Sequence, residues 1–229
     1  MTDENSHIPE PLDRIQQNVL AKAERRLLNW LCPRLPMWVT PDKLTGFGVF
    51  GAVVVFFGYA LSGSSLHWLW LAILGYVFQW FGDSLDGSIA RWRKIERPKY
   101  GYFIDHSVDG LVILLIMAGM GMSPYVRMDA ALFATVGYLL LSIHAYLAAR
   151  VLSEFKLSYL NFGPTELRFL LIGLTLAMMM LGPDAGRTDE RTTGFDWFVA
   201  IAAIVLNALF IWQTLVTARR LDLMERPKD

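Results

Sequence analysis

Six apolar segments run along the chain, separated by short polar stretches. With a window of about 19 residues, they lie near residues 44–62, 67–86, 103–122, 129–150, 166–182 and 197–217. Each is close to the roughly 20 residues that a helix needs to cross about 30 Å of hydrocarbon. The pattern therefore predicts an all-α membrane protein with six transmembrane helices.

Residues 10–31 show a different periodicity. Apolar side chains recur there every three or four positions, with basic ones between them: Leu12, Ile15, Val19, Ala23, Leu27 and Leu31, against Arg14, Lys22, Arg25 and Arg26. This spacing is typical of an amphipathic helix in the membrane interface. The alternative is a surface helix packed on the protein itself.

We divide the chain into a cytosolic N-terminal segment (1–43), a six-span membrane domain (44–217) and a cytosolic tail (218–229).

Composition agrees with a membrane protein. Hydrophobic residues make up 54% of the chain and charged residues 18%, which excludes a disordered or coiled-coil protein. Lys+Arg and Asp+Glu number 21 each, so we expect no nucleic-acid partner on the ground of net charge. Cys32 is the single cysteine, so no intrachain disulfide is expected.

The distribution of Lys and Arg predicts the orientation. Eighteen of them fall in the N-terminal segment, loops 2–3 and 4–5 and the tail, against three on the other side: Arg127, Arg187 and Arg191. By the positive-inside rule, both termini are cytosolic. No organelle signal is visible, so we expect a multi-pass protein of a bacterial inner membrane.

Four carboxylates flank the second loop. Asp83 and Asp86 end the second span, and Asp105 and Asp109 begin the third. The spacings of three and four residues place each pair on one helix face. Because the intervening loop is short, we expect all four carboxylates to converge at the cytosolic membrane surface.

This cluster predicts a metal site. A single Asp within a span costs about 2.5–3.5 kcal/mol on insertion scales, and mutually repelling ones cost more unless a cation neutralises them. Oxygen ligands suit a hard divalent ion, Mg²⁺ or Mn²⁺, rather than zinc. The alternative is four solvated helix-end carboxylates paired with Arg91, Arg93 and Lys94.

The residues beside the acids indicate what else binds. Gly87 and Ala90 leave room for a ligand to approach, and Arg91 is a planar donor suited to phosphate oxygens. A nucleoside diphosphate fits this combination. The residues alone thus indicate metal-assisted phosphoryl chemistry.

The spacing Asp83-x-x-Asp86-Gly87-x-x-Ala90-Arg91, then Gly101-x-x-x-Asp105-x-x-x-Asp109, resembles the signature of the CDP-alcohol phosphotransferase family, also called CDP-alcohol phosphatidyltransferases. Six spans, cytosolic termini and a preceding amphipathic helix are similar to that family as well. Two departures stand out. Nine residues, not the commoner eight, separate Arg91 from Gly101, and Asp42 replaces an Asn in the stretch Thr40-Pro41-Asp42-Lys43-Leu44-Thr45.

The resemblance implies a reaction and a cofactor. Two divalent ions, Mg²⁺ or Mn²⁺, would be held by the four aspartates, with Asp109 also acting as the general base on the acceptor hydroxyl. Gly87, Ala90 and Arg91 would hold the CDP moiety, and CMP would leave. The resemblance also implies a homodimer in the lipid bilayer, with a role in phospholipid biosynthesis.

Weaker resemblances concern the substrates. The stretch Asp105-His106-Ser-Val-Asp109 is similar to that of the choline and ethanolamine branch, in which a soluble CDP-aminoalcohol donates to a diacylglycerol-like lipid. His106 would assist proton transfer, and Asn161, Glu166 and Arg168 would contact a substrate; the alternative is ordinary helix-end side chains. We favour the aminoalcohol donor.

Two other functions stay open. In the first, CDP-diacylglycerol donates to glycerol phosphate, inositol phosphate or serine, and Arg150, Lys156 and Arg168 bind a phosphorylated acceptor. In the second, the protein is a divalent-ion transporter. The acids cluster at one face only, which argues against a transport pathway.

Overall fold

The computed structural model describes residues 21–152, 164–189 and 192–226, and within these ranges it is entirely helical, without strands. In this described part, seven α-helices follow one another: α1 Ala21–Leu31, α2 Pro41–Ala60, α3 Trp68–Arg93, α4 Pro98–Gly121, α5 Met128–Leu152, α6 Pro164–Leu181 and α7 Gly194–Glu225. A 3-10 turn, Cys32–Arg34, follows α1. The all-α prediction is confirmed.

Five helices of the described chain, α2, α4, α5, α6 and α7, are long and apolar enough to cross a membrane. They agree with five of the six predicted spans. The remaining one, α3, has 26 residues, but its tryptophans, Gln79, Asp83 and Asp86 lower its mean hydropathy. The chain is thus a multi-pass membrane protein with five such helices among the described residues, and the count of six is not confirmed by their length and hydropathy.

Helices α2 and α3 pack backbone against backbone through small residues. A Cβ on Gly82 would lie 2.3 Å from the backbone nitrogen of Gly48, and one on Gly51 would lie 2.4 Å from the nitrogen of Gln79. Glycines at such spacings let two membrane helices approach closely. Because Gly82 immediately precedes Asp83, this contact fixes the height and rotation at which α3 presents its first aspartate.

A buried polar contact joins α6 to α2 and α3. The Tyr59 hydroxyl lies 2.6 Å from Thr175 Oγ1 and 3.2 Å from the Tyr76 hydroxyl. All three side chains are fully buried. Since a buried hydroxyl without a partner costs free energy, this trio favours one placement of the middle of α6.

The ends of the spanning helices form two groups. At one end of the bundle α2, α4 and α6 begin and α3, α5 and α7 finish. The four aspartates lie there, and we call it the acidic end. We call the other end of the bundle the opposite end. Thr40 caps α2 at the acidic end by accepting a hydrogen bond from Lys43 N at 3.3 Å, with Pro41 in the first turn.

Of the predicted amphipathic helix, residues 21–31 are helical, and residues 10–20 lie outside the described part of the chain.

Candidate active site

Three of the four predicted aspartates converge at the acidic end. Asp83, Asp105 and Asp109 each offer a carboxylate oxygen, and these atoms all lie within 4.8 Å of one another. The three residues are partly buried. Asp83 comes from the end of α3 and the other two from successive turns of α4, so the helix pair brings the oxygens together as their spacing predicts.

The fourth aspartate, Asp86, lies one turn from Asp83 and faces α2. Its Oδ2 accepts a hydrogen bond from Thr45 Oγ1 at 2.7 Å, and its Oδ1 accepts from the backbone nitrogen of Gly87 at 2.5 Å. Thr45 ends the sequence stretch in which Asp42 replaces Asn, but its contact with an aspartate was not predicted. Its hydroxyl orients the carboxylate that completes the set of four.

Arg168 neutralises part of this negative charge. Its guanidinium forms an ion pair with Asp83, and its Nε donates to Gln79 Oε1 at 2.5 Å. Gln79 is buried and stands four residues before Asp83, so the two side chains share one face of α3. The pairing of Asp83 with Arg168 was not predicted, although a lone Gln in an apolar segment four residues before an Asp is a visible signal.

His106 lies beside the last aspartate. Its Nδ1 is 3.7 Å from Asp109 Oδ2, and its side chain is 7% exposed. The imidazole ring lies between Tyr102 and Tyr146, with ring centroids 4.3 and 4.7 Å away. The structure therefore places His106 next to the predicted general base rather than facing the loop.

The residues predicted to hold the CDP moiety lie on the last turns of α3. A Cβ on Gly87 would be 3.2 Å from Arg91 Nη1, so the absent side chain leaves room for this guanidinium. Arg91 is exposed, and its Nη2 donates to Ser88 Oγ at 3.3 Å. Ala90 is half-buried. An exposed Arg91 next to the small residue Gly87 is an arrangement that can bind phosphate oxygens.

The two departures from the signature meet in space. Arg97, in the nine-residue spacer, forms an ion pair with Asp42 at the start of α2. This hydrogen bond raises the pKa of Arg97. Arg93 donates to the carbonyl oxygens of Val39, Leu35 and Pro36 at 2.6, 3.0 and 3.0 Å. The loop between α3 and α4 is thus tied to the segment before α2.

Glu166 and Asn161 were also predicted to contact a substrate. Glu166 is half-buried in the first turn of α6, two residues before Arg168. Asn161 lies outside the described residues.

One carboxylate near the site was not predicted. Glu24 of α1 accepts hydrogen bonds from Trp80 and Ser84 of α3 and from Thr165 of α6. No spacing rule links Glu24 to the signature, since the contact is made only by the tertiary fold.

A sequence profile of the CDP-alcohol phosphatidyltransferase family matches residues 38–218. This chain belongs to that family. The membership predicted from the signature is thereby confirmed, and the family is one of phosphotransferases. The chain is also similar to cholinephosphotransferase 1 from Danio rerio, with 26% identity over 130 residues. The aligned part covers 48% of this chain and 34% of that relative, about a third of its length.

The donor set fits a divalent cation. Three carboxylates with oxygens within 4.8 Å of one another supply hard ligands, which Mg²⁺ and Mn²⁺ prefer. Close carboxylates repel one another, so a cation between them would relieve an unfavourable interaction. Arg168 balances only one of these charges.

Proposed function

We propose that this protein transfers a phospho-alcohol group from a CDP-alcohol to a hydroxyl acceptor and releases CMP, in phospholipid biosynthesis. The observation that supports it most is the convergence of Asp83, Asp105 and Asp109, with the exposed Arg91 on the same end of α3. Two divalent ions, Mg²⁺ or Mn²⁺, held by these aspartates and Asp86, would supply charge neutralisation for the diphosphate when bound.

Each side chain then has a role in the transfer. Asp109 takes the proton from the acceptor hydroxyl, and His106, 3.7 Å away, helps to receive it. The acceptor oxygen forms a bond to the phosphorus that carries the donor alcohol, and the bond from that phosphorus to the CMP oxygen breaks. Arg91 binds the diphosphate, with Gly87 and Ala90 leaving space for it.

For the substrates, we favour a soluble CDP-aminoalcohol as donor and a diacylglycerol-like lipid as acceptor. The similarity to a cholinephosphotransferase supports this choice. The contacts of Arg168 support it too, because a guanidinium already bound to Asp83 and Gln79 contributes less to a site for a phosphorylated acceptor. Glu166, two residues earlier, suits a cationic head group better than a phosphate.

A paired assay tests the reaction and its substrates. Purified protein with Mg²⁺ receives labelled CDP-choline or CDP-ethanolamine plus diacylglycerol, and separately CDP-diacylglycerol plus a panel of polar alcohols. We expect CMP release and labelled lipid in the first set. Product in the second set alone would replace the aminoalcohol donor by CDP-diacylglycerol and leave the aspartate site unchanged. Absence of CMP in both would contradict the proposal as a whole.

The membrane topology is part of the proposal. We propose that α3 is the sixth span, that α1 lies in the membrane interface, and that both termini and the acidic end face the cytosol of a bacterial inner membrane. Cysteine labelling at residues 92–99 tests the sidedness. Labelling of that loop by an impermeant reagent from outside intact cells would contradict it.

We also propose a homodimer, on the family resemblance. The mass of the purified protein in a mild detergent, measured by light scattering with the detergent contribution subtracted, is expected to be twice that of the 26.0 kDa chain. A mass of one chain at all concentrations would contradict this.

A further inference from the structure

Glu24 joins the amphipathic helix to the candidate site. Its Oε1 accepts hydrogen bonds from Trp80 Nε1 at 2.8 Å and Ser84 Oγ at 2.9 Å, and Thr165 Oγ1 lies 3.1 Å from both carboxylate oxygens. These donors belong to α3 and α6. We propose that Glu24 is a positioning residue for phosphoryl transfer. By hydrogen bonding to both helices it holds the first turn of α6 next to α3, and this places Arg168 in contact with Asp83.

Both partners of the Arg168–Asp83 ion pair lie next to a residue that Glu24 holds. Ser84 follows Asp83 directly in α3, and Thr165 precedes Arg168 by three residues, on the same face of α6. A displacement of α6 relative to α3 would therefore move the guanidinium away from the carboxylate. Glu24 opposes that displacement, because one side chain bonds to both helices.

Few side chains of α6 are buried. Its buried residues are three: Leu171, Thr175 and Met178. Phe169 and Met180, in contrast, are 59% and 84% exposed. Thr175 fixes the middle of the helix through Tyr59, and in the first turn Leu167 packs partly buried against the apolar core. The contact of Thr165 with Glu24 adds a polar restraint at the end where Arg168 lies.

The hydrogen bonds also show that Glu24 acts through its neighbours. Three neutral donors, on Trp80, Ser84 and Thr165, converge on the oxygens of Glu24. Oxygens occupied in this way are not presented to a substrate. The amphipathic helix is thus attached to the site by a specific polar contact as well as by any affinity for lipid.

This inference rests on the proposed function, so its first test measures CMP release by the full-length protein. E24A is expected to lower kcat about 10-fold, the lower limit for loss of a residue that orients a metal ligand. T165V should lower kcat by a similar factor. The double variant E24A/T165V should have the same kcat as either single variant, because both substitutions remove the same contact between Glu24 and Thr165. E24Q should retain activity, since its amide accepts from Trp80 and Ser84 and donates to the Thr165 hydroxyl. Asn29→Ala, on the exposed surface of α1, is the control.

A second measurement needs no activity. Spin labels at F169C and W92C, both exposed positions at the acidic end, report the separation of α6 from α3 by pulsed electron paramagnetic resonance. Cys32 is buried and burial raises the pKa of its thiol, so it reacts slowly with the label. We expect one narrow distance distribution in the wild-type and E24Q backgrounds and a broad one with E24A or T165V.

The outcomes separate the two proposals. A wild-type protein that releases no CMP contradicts the proposed function, while the label distances still test the link. Unchanged kcat and an unchanged distribution in E24A would overturn the role of Glu24. An E24Q variant as impaired as E24A would also overturn it, because charge and not the hydrogen-bonded link would then matter. If E24A does not fold, T165V decides by the same criteria.

Discussion

Acidic side chains occupy both ends of the helical bundle, and the two ends arrange them differently. At the opposite end, Asp196 is buried and accepts hydrogen bonds from the backbone nitrogens of Arg127 and Thr193 at 2.6 and 2.7 Å. It completes a capping box at the start of α7. At the acidic end, Asp83, Asp105 and Asp109 bring carboxylate oxygens within 4.8 Å of one another. One end distributes its acids among donors, and the other concentrates them.

This difference separates structural acids from functional ones. A carboxylate that satisfies backbone N–H groups at a helix start stabilises the fold by itself. Carboxylates gathered against one another repel, and a divalent cation bound between them would relieve that repulsion. The backbone shows a parallel contrast. Gly182 and Gly186 take the left-handed conformations at the opposite end, whereas at the acidic end Lys94 does so with a side chain, at φ 56°.

The largest effect is expected from removing a metal ligand. Asp83→Asn or Asp105→Asn should lose nearly all CMP release and weaken Mn²⁺ binding, because each amide replaces a charged oxygen ligand by a neutral one. Excess EDTA should abolish the activity of the wild-type protein, and added Mg²⁺ should restore it. Activity is measured as CMP formation and Mn²⁺ binding by calorimetry. Full activity in EDTA would refute a metal site.

Asp109→Asn should separate proton transfer from metal binding. We expect kcat to fall about 10²–10⁴-fold, the usual cost of losing a general base, while more Mn²⁺ binding survives than in Asp83→Asn. The comparison uses the same two measurements on both variants. Equal loss of Mn²⁺ binding in both would show that Asp109 serves only as a ligand.

The sequence predicts the acidic end well because its acids lie close together along two helices. The i, i+4 spacing places Asp105 and Asp109 on one face of α4, and the short loop brings Asp83 beside them. Contacts from distant parts of the chain follow no such rule. Glu24 meets Thr165 across 141 positions, and Thr45 meets Asp86 across 41. The contact between Thr45 and Asp86 depends on how glycines let α2 and α3 pack, which spacing along one helix does not encode.

At the opposite end, loss of Asp196 should affect stability and not catalysis. Asp196→Ala leaves the backbone N–H groups of Arg127 and Thr193 without their acceptor, at a cost of about 1–3 kcal/mol. Thermal unfolding in detergent measures the loss, and kcat of the folded fraction should stay unchanged. Asp129→Asn is the control, because Asp129 is exposed, with Arg127 as its ion-pair partner and the backbone nitrogen of Ala130 as a further donor. A large fall in kcat for Asp196→Ala would contradict a purely structural role for this end.

The smallest effect concerns the residue that ends α3. Lys94 adopts a left-handed conformation that costs an L-residue about 1–2 kcal/mol relative to glycine's freedom there. Lys94→Gly removes that cost and adds some conformational entropy to the unfolded chain, so we expect a net gain of about 0.5 kcal/mol. The measurement is the melting temperature in detergent, with Lys99→Gly, in the first turn of α4, as a control expected to be destabilising. A Lys94→Gly variant with both a lower melting temperature and a lower kcat would show that the Lys94 side chain itself contributes to stability and activity at the acidic end. The contrast with Gly182 and Gly186 would then reflect function and not backbone conformation alone.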